Sequence, residues 1–121
     1  MPTKRMVLML NNIIQRIWKQ DELVQIEDLR GMAFRTEEKG HTFQISGERK
    51  GLPVSLSGTV SAKFLKADNT TASLTGSASG GVVSIELSDA CYAVKGRFHL
   101  TIFLTSDSQK AAIYSAVGAV V

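Results

Sequence analysis

Apolar and polar side chains alternate with a period of two over most of the chain from residue 52 onward. One face of residues 54–64 is apolar and carries Val54, Leu56, Val60, Ala62 and Phe64. Residues 96–105 repeat the pattern with Phe98, Leu100, Ile102 and Leu104. Successive side chains of a β-strand point to opposite sides of its sheet, so this period predicts strands with one buried face.

Short polar segments separate these strands. Residues 66–70, 79–81 and 106–110 are rich in Gly, Ser, Asp and Asn, which favour tight turns between paired strands. The first 50 residues are less regular, but β-branched residues in 13–18 and the run from Leu23 favour strands there too. Short strands at this spacing predict an antiparallel β-sandwich, with a small barrel as the alternative.

Residues 88–92 interrupt the β pattern. Ser88 is a residue type that caps helices, and the segment after it has no β-branched residue. We therefore expect one short helical turn that crosses between two sheets. No linker divides the chain, so we predict a single domain, with 51–121 as the sandwich core and 1–50 as N-terminal strands or an arm of the same domain.

The composition argues against several classes of function. The chain has 121 residues, of which 44% are hydrophobic and 21% charged, which is typical of a globular domain. Its net charge of +3 is not clustered, since basic residues alternate with acidic ones. A protein that binds nucleic acid is expected to gather its basic residues on one face. We therefore predict no nucleic-acid partner and, without a run of about 20 apolar residues, no membrane partner.

The residues that carry chemistry show no spacing typical of a site. His41 and His99 lack any HxH or HExxH pattern, and Cys91 is the only cysteine. The acidic pairs, such as Glu27 and Asp28, are adjacent, so in a strand they point to opposite faces. We predict no catalytic residue, no metal site and no cofactor.

Both ends of the chain are unusually apolar. The last strand, in residues 111–121, has mostly small or apolar side chains on both faces, and residues 6–10 form a second apolar run. Such a strand must be covered on both faces, either inside its own sandwich or by another chain. The second option predicts an interface between subunits that contains Met6, Leu8, Leu10, Ile13, Ile17, Trp18, Val117, Val120 and Val121.

Several motifs resemble a module of tailed-phage structural proteins. They are the ADNTT hairpin at 67–71, the GGVVSIEL strand at 80–87, the ACYAVKGRF crossover at 90–98 and the LTIFLTS strand at 100–106. Residues 13–34 followed by HTFQISG resemble the N-terminal part of the same proteins. The chain is thus similar to the immunoglobulin-like N-terminal domain of baseplate upper proteins, and to fibre-base and head-fibre domains.

This resemblance implies an immunoglobulin-like sandwich and a non-enzymatic component of the virion, made in the cytoplasm of a host bacterium. The implied partners are copies of the chain itself, as a trimer or hexamer, and a neighbouring virion protein. Because this chain stops at Val121, the resemblance implies docking or decoration of a head or tail. The alternative is a module that binds carbohydrate or a host surface, with Trp18 and Tyr114 as its contacts.

Overall fold

The computed structural model describes residues 12–32, 34–35 and 40–121. These residues form ten strands in two sheets that pack as a sandwich. In chain order the strands are β1 (Ile13–Lys19), β2 (Ile26–Asp28), β3 (Thr42–Arg49), β4 (Leu52–Val54), β5 (Thr59–Leu65), β6 (Thr71–Thr75), β7 (Ser77–Ser79), β8 (Val82–Glu86), β9 (Gly96–Ser106) and β10 (Gln109–Val120). The predicted all-β sandwich is confirmed.

The first sheet has the strand order β1-β3-β8-β7, and β4 pairs with the far end of β3. The second sheet has the order β2-β10-β9-β5-β6. Residues 89–92 form a single 3-10 turn between β8 of the first sheet and β9 of the second, so the predicted crossover is confirmed. Ser88 occupies the capping position, but its side chain makes no capping hydrogen bond.

Two strand pairs differ from the predicted antiparallel arrangement. β1 pairs with β3 in parallel over seven residues, and β2 pairs with β10 in parallel over three. The order of the elements explains the first pair, because the chain leaves β1, contributes β2 to the other sheet and then returns to β3. Parallel neighbours require such a crossover rather than a hairpin. Both sheets are therefore mixed.

The alternation in β5, β8 and β9 fills the space between the sheets. Their inward side chains join those of β3 and β10 in one apolar cluster. Aromatic rings mark its centre: Phe98 stacks on Phe64 at 4.4 Å between ring centroids and meets Phe34 edge to face at 5.2 Å. Gly118 lies so close to the Phe98 ring that a Cβ at residue 118 would come within 2.5 Å of a ring carbon.

The apolar run at 54–64 is two strands rather than the single strand that its period indicates. β4 ends at Val54 and β5 begins at Thr59. Gly58 makes the break with φ +133°, and its Cα approaches the carbonyl of Thr105 so closely that a Cβ would clash with it. Leu56, between the two strands, is still buried, so the spacing of apolar residues is kept although the strand is interrupted.

Candidate functional site at the β1–β2 edge

One edge strand of each sheet, β1 in the first and β2 in the second, carries exposed apolar side chains. On β1 the exposed residues alternate with a buried or half-buried set, so Ile13 and Ile17 lie on the outer face. On β2 the exposed apolar residue is Ile26, and the loop between the two strands contributes Leu23, which is 91% exposed, and Val24. We call these five side chains the β1–β2 apolar surface.

A half-buried ion pair joins β1 and β2, the two strands that carry this surface. The Arg16 guanidinium donates to both carboxylate oxygens of Glu27, from Nε at 2.8 Å and from Nη2 at 2.9 Å. The Tyr114 hydroxyl on β10 donates to the same carboxylate at 2.6 Å. Bidentate pairs of this kind fix geometry as well as charge. The edges of the two sheets are thus tied by one carboxylate.

The ionisation of the three groups follows from these contacts. The hydrogen bond from Arg16 holds the pKa of Glu27 below its ordinary value, although partial burial opposes this. The same contact raises the pKa of Arg16. Burial, followed by the hydrogen bond to Glu27, raises the pKa of Tyr114, so its hydroxyl keeps its proton. At neutral pH the carboxylate and the guanidinium are therefore both charged.

A groove of about 310 Å³ runs beside this ion pair. The Trp18 side chain and the edge of Tyr114 line it, together with Arg16, Glu22, Leu23 and Glu27. The two aromatic residues proposed as sugar contacts from the sequence therefore lie in one groove. Tyr114 offers little surface, since its ring packs against Phe43 at 5.5 Å and only 7% of the residue is exposed.

The residues predicted to form an interface differ in their exposure to solvent. Ile13, Ile17 and Val121 are exposed, whereas Trp18 and Val117 are half-buried. Val120, which the sequence analysis placed at the interface, is 2% exposed and belongs to the core of the single chain. The cause is local: Val120 pairs with Gly96 of β9 on one side and bridges to Phe34 on the other. Met6, Leu8 and Leu10 lie outside the described residues.

Three members of the apolar surface were missed by the sequence reasoning. Leu23, Val24 and Ile26 occur in the run LVQIEDL, residues 23–29, which predicts a strand. Only the last part of that run becomes β2, and Leu23 and Val24 fall in the loop before it. Asp21 and Glu22 predict a break between the two strands, but no local signal moves the start of β2 to Ile26.

The remaining candidate residues serve the fold. The backbone amide of His41 donates to the Tyr92 hydroxyl at 3.1 Å, and its Nδ1 lies 2.7 Å from the same oxygen, both in the core. Cys91, which precedes Tyr92 in the chain, is also buried, and burial raises the pKa of its thiol. Within residues 12–32, 34–35 and 40–121, no three acidic, histidine or cysteine side chains are grouped as metal ligands. No helix in those ranges is long and apolar enough to cross a bilayer.

His99 and Ser115 have the geometry of a base and a nucleophile, with 2.8 Å between Nε2 and Oγ. Both residues lie in the middle of paired strands, opposite Val117 and Thr101 respectively. Backbone N–H groups in such a ladder are already used, so they are not available to stabilise an oxyanion. Among the described residues no carboxylate is hydrogen-bonded to the other ring nitrogen, so the contact is best explained as structural.

No protein-family model matches the chain, and a search of curated proteins finds no significant match. Among solved structures, the N-terminal domain of phage TP901-1 ORF48 is similar, with a TM-score of 0.46 and 12% sequence identity. The match covers 89% of this chain and 98% of that chain. An identity of 12% is too low for the roles of residues to be transferred.

Proposed function

We propose that this chain is a non-enzymatic structural component of a tailed-phage particle, which binds copies of itself and a neighbouring virion protein through the β1–β2 apolar surface. The observation that carries the proposal is the exposure of Ile17, Leu23 and Val24, which line one groove at the β1–β2 edge. Ile13 and Ile26 are exposed on the same two edge strands. Water-exposed apolar groups that lie together are typical of contact surfaces between proteins.

The surface also has the mixed character of a protein interface. Its apolar residues are flanked by the Arg16–Glu27 pair and by Gln15, whose amide donates to Gln44 at 3.3 Å. Interfaces commonly combine an apolar centre with a polar rim that fixes the orientation of the partner. Because Arg16 and Glu27 bind each other within one chain, they leave no uncompensated charge when a partner covers them.

The resemblance of the hairpin, crossover and strand motifs to baseplate, fibre-base and head-fibre domains supports the immunoglobulin-like and virion parts of the proposal. In this proposal the contact between subunits occurs at the edge formed by β1 and β2. From the C-terminal segment only Val117 and Val121 take part. We propose a trimer or hexamer in which this edge is buried.

The test is light scattering on the purified chain. We expect a discrete oligomer for the wild type and a monomer for the double variant Ile17→Lys and Leu23→Lys, because two charges would have to be buried at the contact. Leu52→Lys is the matched control, since Leu52 is 69% exposed but lies on β4, outside this edge. A monomeric wild type, or a double variant that still assembles, would contradict the proposal.

A carbohydrate-binding module is the second candidate, and the groove that contains both Trp18 and Tyr114 favours it. An aromatic face beside charged and amide groups suits a sugar ring. Binding on a glycan array that Trp18→Ala abolishes, while Phe103→Ala on the other sheet preserves it, would support this candidate. Binding to no glycan, by a chain that is folded, would exclude it.

A further inference from the structure

A second groove lies on the second sheet, beside the β5–β6 hairpin. Its volume is about 450 Å³, within the range of small-molecule sites of about 300–1,000 Å³. The side chains that line it include Leu65, His99 and Val117, which the sheet holds in one row, since His99 pairs with Leu65 on one side and Val117 on the other. The rim carries Arg30, Lys66 and Arg97.

The charged side chains that line this groove are all cationic. Three cationic side chains line it, and no carboxylate does. Arg30 is already engaged, because its Nε and Nη2 donate to Asp28 at 3.0 and 2.8 Å. The side chains of Arg97 and Lys66 make no hydrogen bond or ion pair within the part of the chain that the structure describes. Two cations therefore face the groove with their donors available.

Asp28 and Asp68 interact electrostatically with these cations, but each accepts its hydrogen bonds from other groups. Asp28 is bound by Arg30, and those hydrogen bonds, with a smaller contribution from the charge of Arg97, lower its pKa to about 2. Asp68, in the hairpin, accepts hydrogen bonds from the backbone and hydroxyl of Thr70 at 3.0 and 2.6 Å. Each carboxylate thus has its own donors, and an anion from outside the chain would not have to displace an existing hydrogen bond to Arg97 or Lys66.

We propose that this groove binds a small organic anion, whose carboxylate or phosphate group lies against Arg97 and Lys66 and whose apolar body lies on Leu65 and Val117. A guanidinium presents parallel N–H donors that match two oxygens of such a group, and a lysine adds a second positive charge. The floor is stiff, because it consists of paired strands and because His99 is held by Ser115 at 2.8 Å.

The experiment is an NMR titration of the full chain with phenyl phosphate, benzoate and the neutral analogue benzyl alcohol. We expect saturable shifts of the amides of residues 65–69 and 97–99 with at least one of the two anions and none with benzyl alcohol. The anion that binds more tightly identifies the oxygen group the site prefers. Arg97→Gln and Lys66→Gln should each weaken binding about tenfold.

Lys63→Gln is the matched control. Lys63 is an exposed cation on β5, opposite Thr101, and it does not line the groove. Its replacement should change affinity by no more than about twofold, because solvent screens a charge that makes no direct contact. The proposal is overturned if neither anion saturates, if benzyl alcohol binds equally well, or if Lys63→Gln weakens binding as much as Arg97→Gln.

Discussion

At the scale of single residues, Glu27 and Asp28 are adjacent in β2 but make different contacts. In β2 they pair with Ala116 and Val117 of β10, and they point to opposite faces, as adjacent strand residues must. Glu27 is half-buried and binds Arg16 and Tyr114, whereas Asp28 is exposed and binds Arg30. The sequence predicts the opposite orientations, but only the packing of β1 near β2 supplies the partner for Glu27.

Replacement of Glu27 by Gln should reduce the dependence of stability on pH in acid. The pKa of Glu27 is lower in the folded chain than its ordinary value of 4.5, so as pH falls the unfolded chain takes up the proton first. The stabilisation is therefore fully present above about pH 5.5 and is lost as pH falls through the folded pKa. Urea unfolding between pH 7 and pH 3 measures this loss in the wild type.

In Glu27→Gln we expect a loss of about 1 kcal/mol at pH 7 and a smaller further loss in acid. Asp28→Asn tests the neighbouring exposed carboxylate separately, and it should also reduce the acid dependence, because hydrogen bonds from Arg30 lower the pKa of Asp28 to about 2. If Glu27→Gln retains the full acid dependence of the wild type, the ion pair between β1 and β2 does not stabilise the fold.

At the scale of elements, β10 answers how a strand that is apolar on both faces is covered. Its edges pair with β9 and β2, and one face lies in the core. Residues 113–116 are all buried, and a register shift between Ala112 and Tyr114 marks an irregularity where the strand bends. The same chain therefore covers the edges and one face of β10, whereas Val117 and Ala119 on the other face are half-buried.

Val120 and Val121 form a natural pair for testing this cover. Val120→Asp should lower the free energy of unfolding by about 3–5 kcal/mol, because it places a carboxylate in the core. Val121→Asp should change it by no more than about 0.5 kcal/mol, since 58% of Val121 is exposed. Its backbone amide still donates to Phe34 in that variant. Equal effects in denaturant titrations would show that β10 does not end as described.

At the scale of the whole molecule, the two predicted parts of the chain form the same sheets. In the first sheet β1 and β3, which come before residue 51, lie beside β8 and β7, which come after it. They also bury five large apolar side chains in the shared cluster, namely Ile14, Leu29, Phe34, Phe43 and Ile45. At about 1.5–3 kcal/mol for each, this burial is comparable to the total stability of a typical domain, about 5–15 kcal/mol.

The segment 51–121, produced alone, should therefore not unfold cooperatively. The full chain should show one transition, with the same midpoint by Trp18 fluorescence and by far-UV circular dichroism. Circular dichroism of the segment at increasing urea measures the first expectation. A sharp transition in the isolated segment would mean that 51–121 is a domain by itself and that residues 1–50 are an added arm.

Most of the strands, the turns and the crossover between sheets follow from neighbouring residues and could be predicted from the sequence: a period of two, turn residues at 66–70 and 106–110, and a break at 88–92. The break at Gly58 could not, because it depends on the close approach of Thr105. The tertiary structure decided the rest. Parallel pairing of β1 with β3 and of β2 with β10, the contact of Arg16 with Glu27, and the gathering of Arg97, Lys66 and Leu65 around one groove all join residues that are distant in the chain. A local pattern shows which face of a strand is apolar, but the neighbour that covers this face depends on the order of strands in the sheets.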